Sequence, residues 1–476
     1  MVHQYNIERR EKARAEISIP IQLLINNPPK DIPSEITAQT LNISEGGLCF
    51  RTQNLLTNNS KISINLKSQT SNLKIRAIIA WNNPVDEKRG FYHGTRFIKV
   101  EKGDINILRE ILYQDEEFIE EQVKDILTKI EDKDMRSKVS SFFKNSVKNF
   151  IEDLITIQGG LRNESISNET AQNKISEACD RVIKKCYNIE NSINNKIIIK
   201  LIREKFRMMV GTWAYQSEIV RMAYERPRGY PGDYIMLETI YDNRSISSEM
   251  GSCIDRYYLN NPYAIAVRNR KEKIKTILNN FLINNLRKEP IRILNIACGS
   301  CRELNELRSK EVSINSRVNL IALDQDEEAL EYSRTVLKDL PKNINIRYIK
   351  ENIINFFKTP ERCKNLLGSQ DFIYSIGLAD YLPDTMLKKL IRFCFEILKD
   401  EGKLVIAHKD REKGKLAYLF PNWFCDWIFI PRNVDETVKL VKDSGIENFN
   451  IEIEREPSEQ IFFIIITKTI RKDEAS

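Results

Sequence analysis

The chain has 476 residues, enough for about three domains with separate cores. Its net charge of +7, with 30% charged residues, is a mild, dispersed basic excess; it favours anionic ligands and argues against nucleic acid as a partner. No apolar run reaches membrane-spanning length and the N-terminus is polar, so neither a transmembrane segment nor a signal peptide is expected. Nine scattered cysteines suit a reducing cytoplasm. With only His3, His93 and His408, the Cys298-x-x-Cys301 pair is read as chance, and no metal site is expected.

The first predicted elements are short alternating runs at Ile17 to Ile25, Thr37 to Leu41, Gly47 to Thr52, Lys61 to Leu66, Leu73 to Trp81 and Tyr92 to Ile98. Period two, broken by Asn, Pro, Ser and Gly, predicts a small β-barrel. Ahead of it stands Glu8-Arg-Arg-Glu-Lys-Ala-Arg14, which contains R-x-x-x-R at Arg10 and Arg14 beside Arg9. One predicted turn reads Asn42-Ile-Ser-Glu-Gly-Gly47, or N-x-S-x-x-G. In this order the motifs resemble the PilZ domain over residues 5–112, whose members often bind cyclic di-GMP. The resemblance implies a site made of Arg9, Arg10, Arg14, Asn42, Ser44 and Gly47. That ligand carries two phosphates and two guanines, and an arginine fork pairs phosphate oxygens or the O6/N7 edge of guanine with two bonds.

Residues 113–225 are expected to be helical. Ile119, Val123, Ile126 and Ile130 share one helix face; so do Phe143, Val147, Phe150 and Leu154. Ile175, Cys179, Val182, Cys186 and Ile189 repeat the spacing, and Ile197 to Trp213 adds another helix. The stretch from Gly159-Gly160 to Thr170 is the expected interruption. A packed layer is the favoured reading; a coiled-coil seam, and with it a homodimer, is the alternative.

Further on, the apolar run Ile293 to Ala297 breaks at Cys298-Gly299-Ser300 and resumes as a helix. A glycine there lets backbone approach a ligand, and the helix start offers free N–H groups. A second run, Val318 to Leu323, ends in Asp324-Gln325-Asp326, where a doubly wound fold bonds a ribose. Strands are expected at Ile344 to Ile349, Asp371 to Ile376 and Lys403 to Ala407, with a helix at Met386 to Leu398 and a turn at Glu401-Gly402. Asn450 to Glu454 and Ile461 to Thr467 close a parallel-rich sheet covered on both faces. G-x-G-x-x-G is absent, which argues against a dinucleotide. The stretch instead resembles the first motif of class I S-adenosylmethionine-dependent methyltransferases, with Asn295 where an acid is common and Cys301 where the last glycine is common.

Tyr224-Glu-Arg-Pro-Arg-Gly-Tyr-Pro-Gly-Asp-Tyr234, Asn261 to Arg270, Tyr374 to Leu382, Trp423 to Trp427 and Pro431-Arg432 extend the likeness. Together they resemble bacterial methyltransferases of extracellular-factor (3-hydroxypalmitic acid methyl ester) biosynthesis over residues 200–470. The expected architecture is multidomain: a PilZ-type barrel at 1–112, a helical region at 113–225, and a Rossmann-like α/β methyltransferase domain with an N-terminal helical cap at 226–476. The resemblance implies S-adenosylmethionine held by Asn295, Ala297, Cys298, Gly299, Asp324, Gln325, Asn352, Ile353, Ser375 and Gly377. It implies catalytic roles for Arg228, Tyr230, Asp380 and Tyr381, with Arg268 and Arg270 as further cations. The expected acceptor is the carboxylate of a hydroxy fatty acid, which is ionised at neutral pH and needs positioning but no general base. The alternatives are another small-molecule or protein acceptor, or an inactive scaffold switched by cyclic di-GMP.

Overall fold

The computed structural model describes residues 15–25, 28–67, 72–86, 90–100, 102–285, 289–307, 317–414 and 416–470. It forms two compact units: Met1–Ser217 with Ser247–Ile254, and Glu218–Ile246 with Asp255–Ser476. Among the described residues, no helix is long and apolar enough to cross a membrane.

In the first unit β1 (Pro20–Ile25), β2 (Glu35–Ser44), β3 (Gly47–Thr52), β4 (Lys61–Lys67), β5 (Asn72–Asp86) and β6 (Gly90–Lys99) close an antiparallel barrel in the order β1-β2-β3-β6-β5-β4. The predicted alternation fills it: Ile43, Leu48, Phe50, Ile64, Ile75 and Ile79 are all buried. β5 outruns its predicted length because three register shifts against β6 let it bend around the barrel. The helices are α1 (Lys102–Leu112), α2 (Glu116–Leu127), α3 (Lys133–Ser141), α4 (Lys148–Arg162), α5 (Asn168–Ser192) and α6 (Lys196–Ala214). A π-helical segment, Phe142–Val147, joins α3 to α4. The three predicted apolar faces are buried within this unit. The expected interruption is present between Arg162 and Asn168, but it falls after the glycines: α4 runs through Gly159-Gly160 and stops at Arg162. Ile166, on the returning chain, packs where a Cβ on Gly160 would sit, 2.9 Å away, so that glycine serves packing and not a break.

The second unit begins with α7 (Glu218–Glu225) and α8 (Tyr234–Asp242); α9 (Glu249–Leu259) follows, and then α10 (Pro262–Asn284). Asn261 caps α10, with Pro262 at the first helical position. Strands and helices then alternate: β7 (Ile291–Ile296), α11 (Arg302–Leu307), β8 (Val318–Asp324), α12 (Glu327–Val336), β9 (Ile344–Lys350), α13 (Ile354–Lys358), α14 (Pro360–Leu367), β10 (Gln370–Ser375), α15 (Asp384–Glu396), β11 (Leu398–Lys409), α16 (Leu419–Cys425), α17 (Val434–Lys442), β12 (Phe449–Arg455) and β13 (Ile461–Lys468). The sheet order is β12-β13-β11-β10-β7-β8-β9. β7 to β11 are parallel; β13 runs antiparallel to β11, and β12 to β13. β10 is buried at every position, as a strand covered on both faces must be. The expected Glu401-Gly402 turn is present, but inside β11: pairing jumps from Gln370↔Leu398 to Phe372↔Lys403, and Glu401 takes φ 62°.

A charge cluster ties α10 to α11. Glu306 accepts from Lys271 at 2.5 Å, Lys275 at 2.9 Å and Arg302 at 3.0 Å. Partial burial pushes its carboxyl up, but the three cations outweigh this and bring it from 4.5 down to about 2. A depressed carboxylate stabilises the fold above its unfolded pKa, and that contribution is lost as pH falls through the folded value. Wild-type protein should therefore lose melting temperature more steeply than Glu306→Gln as pH falls from 4.5 toward about 2; parallel curves would show that the cluster contributes nothing.

Candidate functional site

The order of the parallel strands reverses between β7 and β10, where open α/β sheets leave a crevice beyond the carboxyl ends of the strands. A cavity of about 270 Å³ lies there. Ala297 and Gly299 after β7 line it, with Leu323, Asp324 and Gln325 at the end of β8, Glu351 and Ile353 after β9, and Gly377, Leu378 and Tyr381 after β10. Tyr230, Pro231, Gly232, Tyr234 and Leu237 form the remaining wall.

The turn after β7 is tight. Ala297, Gly299 and Cys301 have φ of 54°, 55° and 50°, all left-handed. A Cβ on Gly299 would meet only Leu237, at 3.9 Å, so the backbone angle, not space, makes glycine the natural residue there. Asp324 fixes the turn: its Oδ2 accepts from the Gly299 N–H at 2.9 Å and its Oδ1 from the Asp326 N–H at 3.0 Å. Burial raises the Asp324 carboxyl, and these backbone bonds oppose the rise.

The structure brings together Ala297, Gly299, Asp324, Gln325, Ile353 and Gly377 of the expected cofactor set. Asn295, Cys298 and Ser375 lie behind the wall. Asn295 donates to Glu303 at 3.0 Å, Ser375 ties β10 to β7 through the Ile296 carbonyl at 2.9 Å, and Cys298 points its thiol at the Gly299 carbonyl. Asn352 borders the next, more open hollow and donates to Gln325 at 2.9 Å.

Of the expected catalytic set, Tyr230 and Tyr381 line the cavity; Arg228 and Asp380 do not. Arg228 spends its guanidinium on Asp326 and Glu328. Asp380 is 1% exposed and bonds Lys409 Nζ at 2.7 Å, with His408 Nδ1 at 3.0 Å. Burial alone would raise its carboxyl, but Lys409 and His408 hold it far below the usual carboxylate range. It is a fixed anion, unsuited to taking a proton. Arg268 donates to the Leu259 carbonyl at 3.0 Å.

A smaller inner cavity, about 40 Å³, shares Gly232, Leu237, Gly377 and Tyr381 with the first. Tyr258, Tyr263, Trp427 and Phe429 give it aromatic walls; Arg270 and Lys409 are its cations. Among the described residues, no carboxylate or histidine lines it. Lys409 is neutralised by Asp380. Arg270 is 3% exposed, bonds Tyr241, leaves Nε without a partner and joins no ion pair among the described residues. The Tyr263 hydroxyl is likewise buried and unpartnered, and Tyr381 Oη accepts from Trp427 Nε1 at 2.8 Å. Lys409 had no signal in the sequence beyond its place at the end of the fifth parallel strand.

In the first unit Asn42, Ser44 and Gly47 lie on the β2–β3 hairpin. Ser44 Oγ donates to the Gly47 carbonyl at 3.0 Å. A Cβ on Gly47 would stand 2.0 Å from the Thr95 carbonyl oxygen, so only glycine fits. Arg9, Arg10 and Arg14 lie outside the described residues. Ala15, next in sequence, exchanges two backbone bonds with Ile43, between Asn42 and Ser44, at 2.8 and 2.9 Å. Glu45 in the same hairpin accepts from Arg109 Nε at 2.7 Å, and Arg109 Nη1 donates to Thr212 on α6 at 2.7 Å.

Two family models match stretches of the chain. Residues 8–114 match the family model of the PilZ domain, and residues 162–335 match a family described as "Putative methyltransferase". No curated protein matches the chain. Among solved structures, a possible exported protein from Bordetella parapertussis is 18% identical, covering 54% of this chain and 88% of that one at a TM-score of 0.41. Magnesium protoporphyrin IX methyltransferase from Synechocystis PCC 6803, with bound SAH, is 11% identical, covering 44% and 87% at 0.32. The N-methyltransferase NodS from Bradyrhizobium japonicum WM9 is 13% identical, covering 42% and 97% at 0.29. The chain thus carries an N-terminal PilZ domain and, after it, a methyltransferase-family domain.

Proposed function

We propose that the second unit is an S-adenosylmethionine-dependent methyltransferase whose acceptor presents an anionic oxygen, and that the barrel binds cyclic di-GMP as its regulator. The observation that carries the first part is the adjacency of two cavities that share Gly232, Leu237, Gly377 and Tyr381: an outer one built around Asp324, and an inner one holding a buried guanidinium without an ion-pair partner among the described residues.

The outer cavity suits the cofactor's chemistry. Asp324 keeps lone pairs for a ribose hydroxyl beside the two N–H bonds it accepts. Leu323, Ile353 and Leu378 offer apolar surface for adenine. The bound cofactor supplies a sulfonium methyl group. In the inner cavity Arg270 would hold one oxygen of an acceptor carboxylate, and the hydroxyls of Tyr263 and Tyr381 are placed to orient the rest. The aromatic walls exclude water. A lining free of carboxylate and histidine fits an acceptor that is already ionised and needs no base. By family resemblance the favoured acceptor is the carboxylate of a hydroxy fatty acid.

Asp324→Ala should weaken S-adenosylhomocysteine binding by about 1–3 kcal/mol, the cost of a lost charge-assisted hydrogen bond. Calorimetry giving an unchanged affinity would remove Asp324 from the site. Arg270→Gln should keep S-adenosylhomocysteine affinity within about threefold yet lower turnover on carboxylate acceptors about 100-fold or more, since a buried charge-assisted pair is worth several kcal/mol. Equal turnover would move the acceptor elsewhere.

For the barrel, Ala15, the residue that follows Arg14 in the sequence, pairs with Ile43 of the Asn42–Gly47 hairpin. Calorimetry should detect cyclic di-GMP binding that Arg14→Ala loses and Arg14→Lys scarcely restores, because an ammonium cannot make two parallel bonds. Coupling to methyl transfer would be reciprocal: S-adenosylmethionine should change cyclic di-GMP affinity by the same factor as the reverse, typically about 5- to 150-fold. Identical affinities in both directions, with unchanged turnover, would show two tethered but independent domains.

A further inference from the structure

Residues 226–233 join α7 to α8 without forming helix or strand. Arg226, Gly229 and Gly232 sit at φ of 50°, 83° and 73°. The segment's Tyr230, Pro231 and Gly232 form part of the wall of the outer cavity. Its own backbone bond is local, from the Gly229 N–H to the Arg226 carbonyl at 2.8 Å. Side chains hold it in place. Arg226 Nη2 donates to the Asp426 carboxylate at 3.0 Å. Arg228 grips Asp326 with two bonds, Nε to Oδ2 at 2.5 Å and Nη2 to Oδ1 at 2.6 Å, and reaches Glu328 at 2.5 Å. Tyr230 adds a hydroxyl bond to Asp326 at 3.1 Å. The Arg228 and Asp326 side chains are 14% and 9% exposed, so solvent screens their pairing only weakly.

We propose that residues 226–233 are a strap over the cofactor cavity, latched by Arg228 on Asp326, and that this latch sets how long a bound cofactor stays. The inference rests on the reading that the cavity holds S-adenosylmethionine. Asp326 stands two residues from Asp324, so one strand end carries both the ribose acceptor and the anchor of the strap. Releasing the middle of the strap requires breaking one bidentate ion pair with its Glu328 and Tyr230 supports, and no sheet or helix bond. Arg228 and Asp326 are thus positioning residues: they hold Tyr230 to Gly232 against the cavity and touch no reacting atom.

The test uses the full chain and S-adenosylhomocysteine as the probe. Calorimetry on the wild type comes first, and absence of binding there removes the cofactor reading itself. With binding present, stopped-flow displacement measures the off-rate. Arg228→Met keeps an unbranched side chain and removes the charge together with the guanidinium that lies over Tyr234; Asp326→Asn keeps the cap on α12. Each should raise the off-rate about tenfold or more, the size of one bidentate charge-assisted pair, with the on-rate within about threefold. The double variant should be no faster than the quicker single, because both remove one interaction. Arg228→Lys should fall between. Hydrogen exchange on the wild type gives a readout independent of any substitution: S-adenosylhomocysteine should slow exchange at Gly229, Tyr230 and Gly232. Unchanged off-rates, effects that add in the double variant, or no slowing of exchange in the strap would each overturn the latch.

Discussion

The carboxylate of Asp324 is the contact on which the second unit's site depends. It is 7% exposed, at the end of β8, and it accepts N–H groups from two other places in the chain. The Gly299 bond holds a turn in which three of five residues are left-handed, two of them bearing side chains. Such residues cost about 1 kcal/mol or more each and persist only where neighbours over-determine them. The Asp326 bond shapes the start of α12 and so places the carboxylate that Arg228 grips. Removing Asp324 would therefore disturb the turn, the helix start and the strap together.

Much of this was legible in the sequence, for reasons that differ by element. Strands such as Gly47–Thr52 and Ile291–Ile296 show as apolar runs because burial on one face or both writes itself into composition. The tight turn after β7 was legible through Gly299, since backbone geometry there restricts residue type. What Arg228 and Asp380 do was not legible. Both belong to conspicuous motifs, yet their partners, Asp326 and Lys409, lie 98 and 29 residues away. Charge in a sequence carries no record of which opposite charge it meets. Asn295 misled for a related reason: it is in the right turn, but its side chain points behind the wall toward Glu303. The break within Gly159 to Thr170 was legible, but it falls after the glycines, because Gly160 is used for packing against Ile166.

The polar interior near the inner cavity is uneven in its compensation. Asp380 is matched by Lys409, and the buried Arg432 by Asp384 at the surface; the Arg432 guanidinium also meets His408 at 2.7 Å. Among the described residues Arg270 has no such match, although Glu303 lies near enough to feel its charge. Glu303 is engaged instead by Asn295 and by the Tyr374 hydroxyl at 2.8 Å. A buried cation without an ion-pair partner is costly, and any anion bound beside it would lower that cost.

The boundary between the units has a consequence for synthesis. The first unit is not finished at Ser217: it also takes Ser247–Ile254. In that piece the Cys253 carbonyl accepts from Gln172 at 3.2 Å, and Gly251 leaves no room for a Cβ beside the Gln216 carbonyl, 2.2 Å away. A ribosome making this chain must therefore translate α7 and α8, which belong to the second unit, before the first has all its parts. Domains usually fold as units in order of emergence. Here the barrel can close early, while the helical layer beside it stays incomplete until later sequence arrives. A fragment cut at Ser217 would carry the same gap permanently.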